Sequence, residues 1–291
     1  MRLFSVSGAL ALALGLAALA GPASAQEHWL RYPGMTEVQL RDVAAIVRVL
    51  PESRADIGVS ISNTGPLPAP EIRSQRQRLI IDGDLRRQIR SCRTLEGGGF
   101  EVNVGRRGVL RNEQLPTITL RVPLDVVLAA GGGVQLHMAR ADAARVSLDG
   151  CGDADLEGVT GEADISIAGA PNFRLYEAGE ATVSVAGGGD VTLGVVHRGL
   201  TVSIAGAGDV VVARADGPTS IAVQGSGDVV IRDGRAAPFS VSIVGAGDVS
   251  HEGVAERLDV AIIGAGDVRV ARVEGEVTRR IIGAGDVIVG H

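Results

Sequence analysis

From Val146 to Val289 apolar and polar residues alternate in short runs that restart about every 19 residues. The unit is clearest in Thr201-Val202-Ser203-Ile204-Ala205-Gly206-Ala207-Gly208-Asp209-Val210-Val211-Val212, where two alternating segments flank a glycine-rich corner. Before the corner, one apolar column holds Val146, Ile165, Val183, Val202, Ile221, Val241 and Val260, and the next holds Leu148, Ile167, Val185, Ile204, Val223, Ile243, Ile262 and Ile281. After it come Phe173, Val191, Val210, Val229, Val249, Val268 and Val287, then Leu156, Leu175, Leu193, Val212, Ile231, Val270 and Val289. A period of two residues is a strand with one face inward. The interleaved Ser147, Ser166, Ser184, Ser203 and Ser242 are therefore expected to face solvent.

The corner itself reads Gly-x-Gly-Asp-Val six times, with its aspartate at Asp190, Asp209, Asp228, Asp248, Asp267 and Asp286, at intervals of 19, 19, 20, 19 and 19 residues. A fixed period of this length marks a solenoid, whose units bury their apolar faces only by stacking on each other. Coils this short, with β-branched inward positions and no room for helices, predict an all-β fold: a single-stranded parallel β-helix with coils of about 19 residues. Extending the frame backward places Asn172, Asp153 and Val134 in the aspartate column and predicts at least nine coils. A weaker third corner falls near Gly161, Gly217 and Gly275.

The chain divides on this pattern into residues 1–25, 26–128 and 129–291. The middle part lacks the motif, yet Val43 to Leu50, Ile57 to Ser62, Leu79 to Leu85, Phe100 to Val104 and Ile118 to Val122 read as strands. It is expected to form either degenerate wider coils or a cap over the first rung. Residues 1–25 carry Arg2, an apolar run from Ala9 to Ala20 and an Ala23-Ser24-Ala25 site, the layout of a cleavable signal peptide. The sequence thus predicts export to the periplasm or cell surface, with the mature chain starting at Gln26.

Composition narrows the chemistry. All 28 basic residues are arginine, which excludes lysine-based catalysis, and aromatics make up only 2% of the chain. The net charge of −6, or −7 once Arg2 is removed, argues against nucleic acid as a partner. Cys92 and Cys151 are the only cysteines and, in an exported protein, form a disulfide candidate, the alternative being two separate thiols.

The aspartate column poses the main chemical question, because stacking brings its carboxylates to about one strand spacing, near 5 Å, apart. One reading has each aspartate accept hydrogen bonds from backbone N–H groups of its own glycine turn. The other makes Asp190, Asp209, Asp228, Asp248, Asp267 and Asp286 a calcium column, the only cofactor the sequence suggests. A dinucleotide fold is excluded at Gly264-Ala265-Gly266, since Arg269 stands where the third glycine belongs and the next strand starts at once. His197 with Arg198, Arg214 with Asp216, Arg232 with Asp233, and Arg272 with Glu274 are the charged groups available to a polysaccharide-acting enzyme, but alternating solvated charges explain them equally. No catalytic residue is assigned. His251 interrupts an inward apolar column and is read as a core or edge residue.

The repeated Gly-Ala-Gly-Asp-Val and Gly-Ser-Gly-Asp-Val corners, and the Ile118-Thr119-Leu120-Arg121-Val122-Pro123 stretch before the first glycine cluster, resemble the head GIN domain family of auto-transporter adhesins. The resemblance spans roughly residues 40 to 290. It implies an exported single-stranded β-helix and brings no established activity or catalytic residues. Because the repeats run to His291, no membrane-spanning translocator barrel is expected. The sequence therefore points to a non-enzymatic binding, adhesion-type or envelope structural protein with a protein or glycan ligand. A polysaccharide-processing enzyme and a calcium-stabilised module are the alternatives. The Ile281 to Val289 coil, with no evident cap, is expected to offer an edge for self-association.

Overall fold

The computed structural model describes residues 28–63, 65–95 and 97–290, so the signal-peptide reading of residues 1–25 lies outside the described part. The repeats stack as a parallel β-solenoid of about nine turns. Leu200–Gly206 lies between residues 181–187 of the long strand Val159–Gly187 and the strand Gly217–Gly225, in a register that stacks Val183, Val202 and Ile221. Beyond the corner, Val210–Ala215 lies between Val191–Val196 and Val229–Ile231. Two parallel ladders thus meet at each Gly-x-Gly-Asp corner. Their inward columns form one continuous core in which residues such as Val202, Ile204, Val210 and Val212 are at most 1% exposed.

Glycine is a steric requirement of that stacking. Gly225 has φ +137°, and a Cβ added there would run into the carbonyl oxygen of Gly206 on the preceding coil. At Gly227 an added Cβ would strike the carbonyl oxygen of Gly208. The corners therefore pile backbone directly on backbone, which only glycine permits.

The strand Glu37–Glu52 carries the ladder past the regular repeats, pairing in parallel with Asp125–Met138 on one edge and with Arg78–Asp82 and Thr117–Pro123 on the other. Pairing then turns antiparallel. Asp56–Ser62 lies on Thr117–Pro123, Leu30–Pro33 on Asp56–Ser62, and Glu71–Gln75 on Arg78–Asp82. This stretch therefore supplies both a further rung and a cover that closes the edge to other strands.

Phe100–Val104 is a strand, but not of the rod. It pairs with Ile89–Thr94 and Val109–Arg111 in a separate antiparallel sheet, an insert with its own small core of Phe100, Val102, Val104, Leu110 and Leu115 against Leu85 and Ala44. Cys92 is joined by a disulfide to Cys151 on the strand Ala143–Leu156, which ties the insert to the rod. The predicted strand Leu79 to Leu85 is shorter in the structure, ending at Asp82, because the chain leaves the ladder there at Gly83 and Asp84, whose φ is +52°.

The register also corrects one position of the aspartate column. Gln135, not Val134, pairs with Asp153, because the coil between them is one residue shorter than the repeat frame assumes. Val134 pairs with Gly152 and is buried.

His251 is a core residue, 1% exposed, with its ring edge-on to Phe239 at 5.1 Å. Its Nε2 lies 3.4 Å from the carbonyl oxygen of Val254, while Nδ1 has no hydrogen-bond partner. Burial pushes the imidazole below its ordinary pKa, opposed more weakly by nearby backbone carbonyls and by the Asp233 carboxylate. The unfolded chain then binds more protons than the folded one below pH ~6.5, so stability is full above that pH and falls beneath it. His251→Val restores the apolar column of Ile231 and Val270. Denaturant midpoints measured from pH 7.5 to 5 should fall less in the variant, the two stabilities diverging below pH ~6.5 by at most about 1.4 kcal/mol per pH unit. Parallel curves for the two proteins would show that His251 titrates normally in the fold.

Candidate functional site

Each corner aspartate from Asp190 to Asp267 uses Oδ1 to accept the backbone N–H of the aspartate one coil later. The N–H of Asp228 donates to Asp209 at 2.9 Å, that of Asp248 to Asp228 at 2.8 Å, that of Asp267 to Asp248 at 2.8 Å and that of Asp286 to Asp267 at 3.0 Å. The Asp209 N–H reaches Asp190 at 3.4 Å. The sequence reading had each carboxylate serving its own glycine turn; the structure has it serving the next. The ladder places a peptide dipole beside each of these five charges, which offsets repulsion along the column. Arg269 adds a cation, 2.8 Å from Asp267 and 3.7 Å from Asp248. Among the described residues, no group of three or more acidic, histidine or cysteine side chains is arranged to hold a metal.

Just beyond the corner, two outward columns make the floor of a groove of about 700 Å³. Gln135, Asp153, Asn172 and Asp190 run along one side, and His137, Asp155, Arg174 and Thr192 along the other. Thr94, Gly98 and Asn112 of the insert region form its wall. The insert stands here because the disulfide holds its first strand against the rod, and the Gln135 amide donates to the carbonyl of Gly98 at 3.4 Å.

The floor residues are already ordered by their neighbours. Arg174 donates to Asp155 at 2.7 Å, His137 Nδ1 lies 3.8 Å from the other oxygen of Asp155, and the Asn172 amide donates to Asp153 at 2.8 Å. The result is a fixed array of donors and acceptors, repeating at a strand spacing of about 4.8 Å. Such an array can hydrogen-bond a polar ligand along the rod.

Most of the charged groups available to a polysaccharide-acting enzyme are held in ion pairs. Arg214 bonds Asp216 at 2.7 Å and Asp233 at 2.6 Å, and Arg235 bonds Glu256 at 2.9 Å and Glu274 at 2.7 Å. Arg272 lies 3.5 Å from Glu274, and His197 meets Glu177 at 3.0 Å, with Arg140 on the same carboxylate at 2.9 Å. Arg198 reaches the carbonyl of Thr160, and the Asp233 carboxylate is taken by Arg214 and the Gly234 N–H rather than by Arg232. Arg140 holds the Glu177 carboxyl below the usual carboxylate range, and Arg235 does the same to Glu274. A general acid needs the opposite shift.

In the coil Val277–Gly283 the register puts Arg279 directly after Val260 in an inward column, two residues before Ile281, which continues the next inward column and is 38% exposed. A charge at an inward position disfavours the addition of another strand.

Residues 87–215, which include the insert, the disulfide and the groove floor, match the family described as "Putative auto-transporter adhesin, head GIN domain". Over these residues the chain is similar to that family. No curated protein matches the chain. Among solved structures, this chain is similar to a putative adhesin from Parabacteroides distasonis, 15% identical, with 90% of this chain and 96% of that one aligned at a TM-score of 0.56. That likeness is one of fold. A putative lipid binding protein from the same species (14% identity, 91% and 96% covered, TM-score 0.43) and a putative adhesin from Bacteroides fragilis (14%, 91% and 98%, 0.42) superimpose more loosely.

Proposed function

We propose that this protein is an exported, non-enzymatic, adhesion-type binding protein that holds a hydroxyl-rich envelope ligand, a glycan, along the groove beside the insert. The observation that carries this reading is the groove floor, where two columns of donors and acceptors repeat along the rod at one strand spacing. An extended sugar chain presents hydroxyls on a comparable repeat, so successive rungs meet successive sugars. The closed aspartate ladder supports binding without a metal. Arg279 weighs against the alternative of end-to-end stacking through the Val277–Gly283 coil.

Residues 26–291 should be titrated against a glycan array and insoluble envelope polysaccharide, alongside a His137→Ala/Arg174→Ala variant. The variant should bind at least about tenfold more weakly, a loss of ~1.4 kcal/mol. Undiminished binding by the variant, or release of soluble sugar by the unaltered protein, would overturn the proposal.

A further inference from the structure

A second groove, of about 710 Å³, opens on the other side of the glycine corner. Its floor is the outer face of the pre-corner strands, where Gln39, Ala129 and Ser147 stack in register and Gly131 pairs with Asp149. Three arginines line it: Arg41, Arg87 and Arg90. Two features of the backbone bring them there. The ladder between Glu37–Glu52 and Asp125–Met138 slips between Ala130 and Gly132, so that Arg41 and Asp42 together face Gly131, and Asp42 takes φ +49°. The loop after Arg78–Asp82 then delivers Arg87 at φ +60°, just ahead of the insert strand that carries Arg90.

These arginines differ from those elsewhere on the rod. Arg214 and Arg235 each bridge two carboxylates. Among the described residues, Arg87 and Arg90 form no ion pair, and Arg41 makes a long hydrogen bond to Gln39 at 3.5 Å. Three guanidinium groups without carboxylate partners converge on one opening in a chain whose net charge is −6. A guanidinium matches the planar fork of a carboxylate, which it holds through two parallel hydrogen bonds. The same groove also presents acceptors, Asp149, Asp42 and the hydroxyl of Ser147. Those carboxylates would repel a compact dianion such as phosphate, but they suit the hydroxyls of a sugar.

We infer that this groove binds a uronate residue of an acidic polysaccharide, with the sugar carboxylate on Arg41, Arg87 and Arg90 and its hydroxyls on Asp149, Ser147 and Gln39. Gly131 lets the ring approach the backbone closely, since a Cβ there would meet nothing nearer than carbonyl oxygens at 3.7 Å. The inference uses none of the residues of the first groove and stands without it.

The test is calorimetric titration of residues 26–291 with oligogalacturonate, mannuronate oligomers and a glucuronate-containing oligomer, with a neutral galactose oligomer and inorganic phosphate as comparisons. At least one uronate should bind, more weakly as salt rises, and Arg87→Ala/Arg90→Ala should weaken it at least about tenfold while His137→Ala/Arg174→Ala leaves it intact. Both arginines are exposed, so the first variant should keep its circular dichroism spectrum and melting temperature. Equal binding of phosphate or the neutral oligomer, no binding of any uronate, or loss only in the His137/Arg174 variant would each overturn the inference.

Discussion

Gly225→Ala should destabilise the protein by about 3 kcal/mol or more, far beyond what one methyl group usually costs. Two effects add. At φ +137° an L-residue is strained whatever space surrounds it, and here there is none, because the new Cβ meets the Gly206 carbonyl. Relief requires the two coils to separate, which would stretch the N–H to carbonyl bond from Ser226 to Gly206, now 3.0 Å, and disturb the aspartate rung from Asp228 to Asp209. The neighbouring Ser226→Ala is the control: that side chain is exposed and its change should fall within about 0.5 kcal/mol. Because solenoid stability is a sum of nearest-neighbour terms, the damage should also be local. Denaturant unfolding of Gly225→Ala should therefore show a lower midpoint and a shallower slope, as the two halves of the rod begin to unfold independently. A loss under about 1 kcal/mol would mean that the corners flex apart more easily than their stacking suggests.

Cys92→Ser/Cys151→Ser should have the next largest effect. The bridge joins positions 59 residues apart, and closing such a loop is worth about 4 kcal/mol in the chain-entropy account. The loss should be uneven. The rod keeps its continuous core without the bridge, whereas the insert keeps only the small cluster around Phe100, Val102, Val104 and Leu110. Hydrogen exchange should accelerate across Ile89–Thr94, Phe100–Val104 and Val109–Arg111 while strands such as Leu200–Gly206 remain protected. Uniform protection in the variant would show that the insert stays docked by packing alone. The same experiment reports on both grooves, since the insert region walls the first and Arg90 of its first strand lines the second.

Much of the rod was legible from residue order because each coil repeats the same local instruction. Val202 and Ile204 are buried, Ser203 is exposed, and the pattern recurs at Val183, Ile221 and Val241, as alternation requires. The frame failed first where a coil changed length, so that Val134 was assigned a place that Gln135 holds. It failed again at Phe100–Val104, where alternation correctly indicates a strand but carries no information about its partner. His251 was readable as a core residue from its column, though not its contact with Phe239, which comes from the other ladder.

The candidate site was less legible than the fold. Individual residues such as Asp153, Asp190, Cys92 and Cys151 stood out, but the grooves arise where an insert some 40 to 60 residues away in sequence leans on the corner. Arg41, Arg87 and Arg90 gave no signal, being three among 28 arginines until a bulge and two left-handed residues aimed them at one opening.

Residue order alone was enough to specify the parallel coils, their inward columns and the place of each glycine corner, since all three follow from a short pattern repeated along the chain, whereas the steric reason for glycine there lies in the stacking of one coil on the next. Tertiary structure alone decided where the side sheet docks, which strands close the N-terminal edge, and that each aspartate serves the coil after its own. Those outcomes depend on contacts between non-repeating segments far apart in sequence, where no periodicity exists to announce the partner.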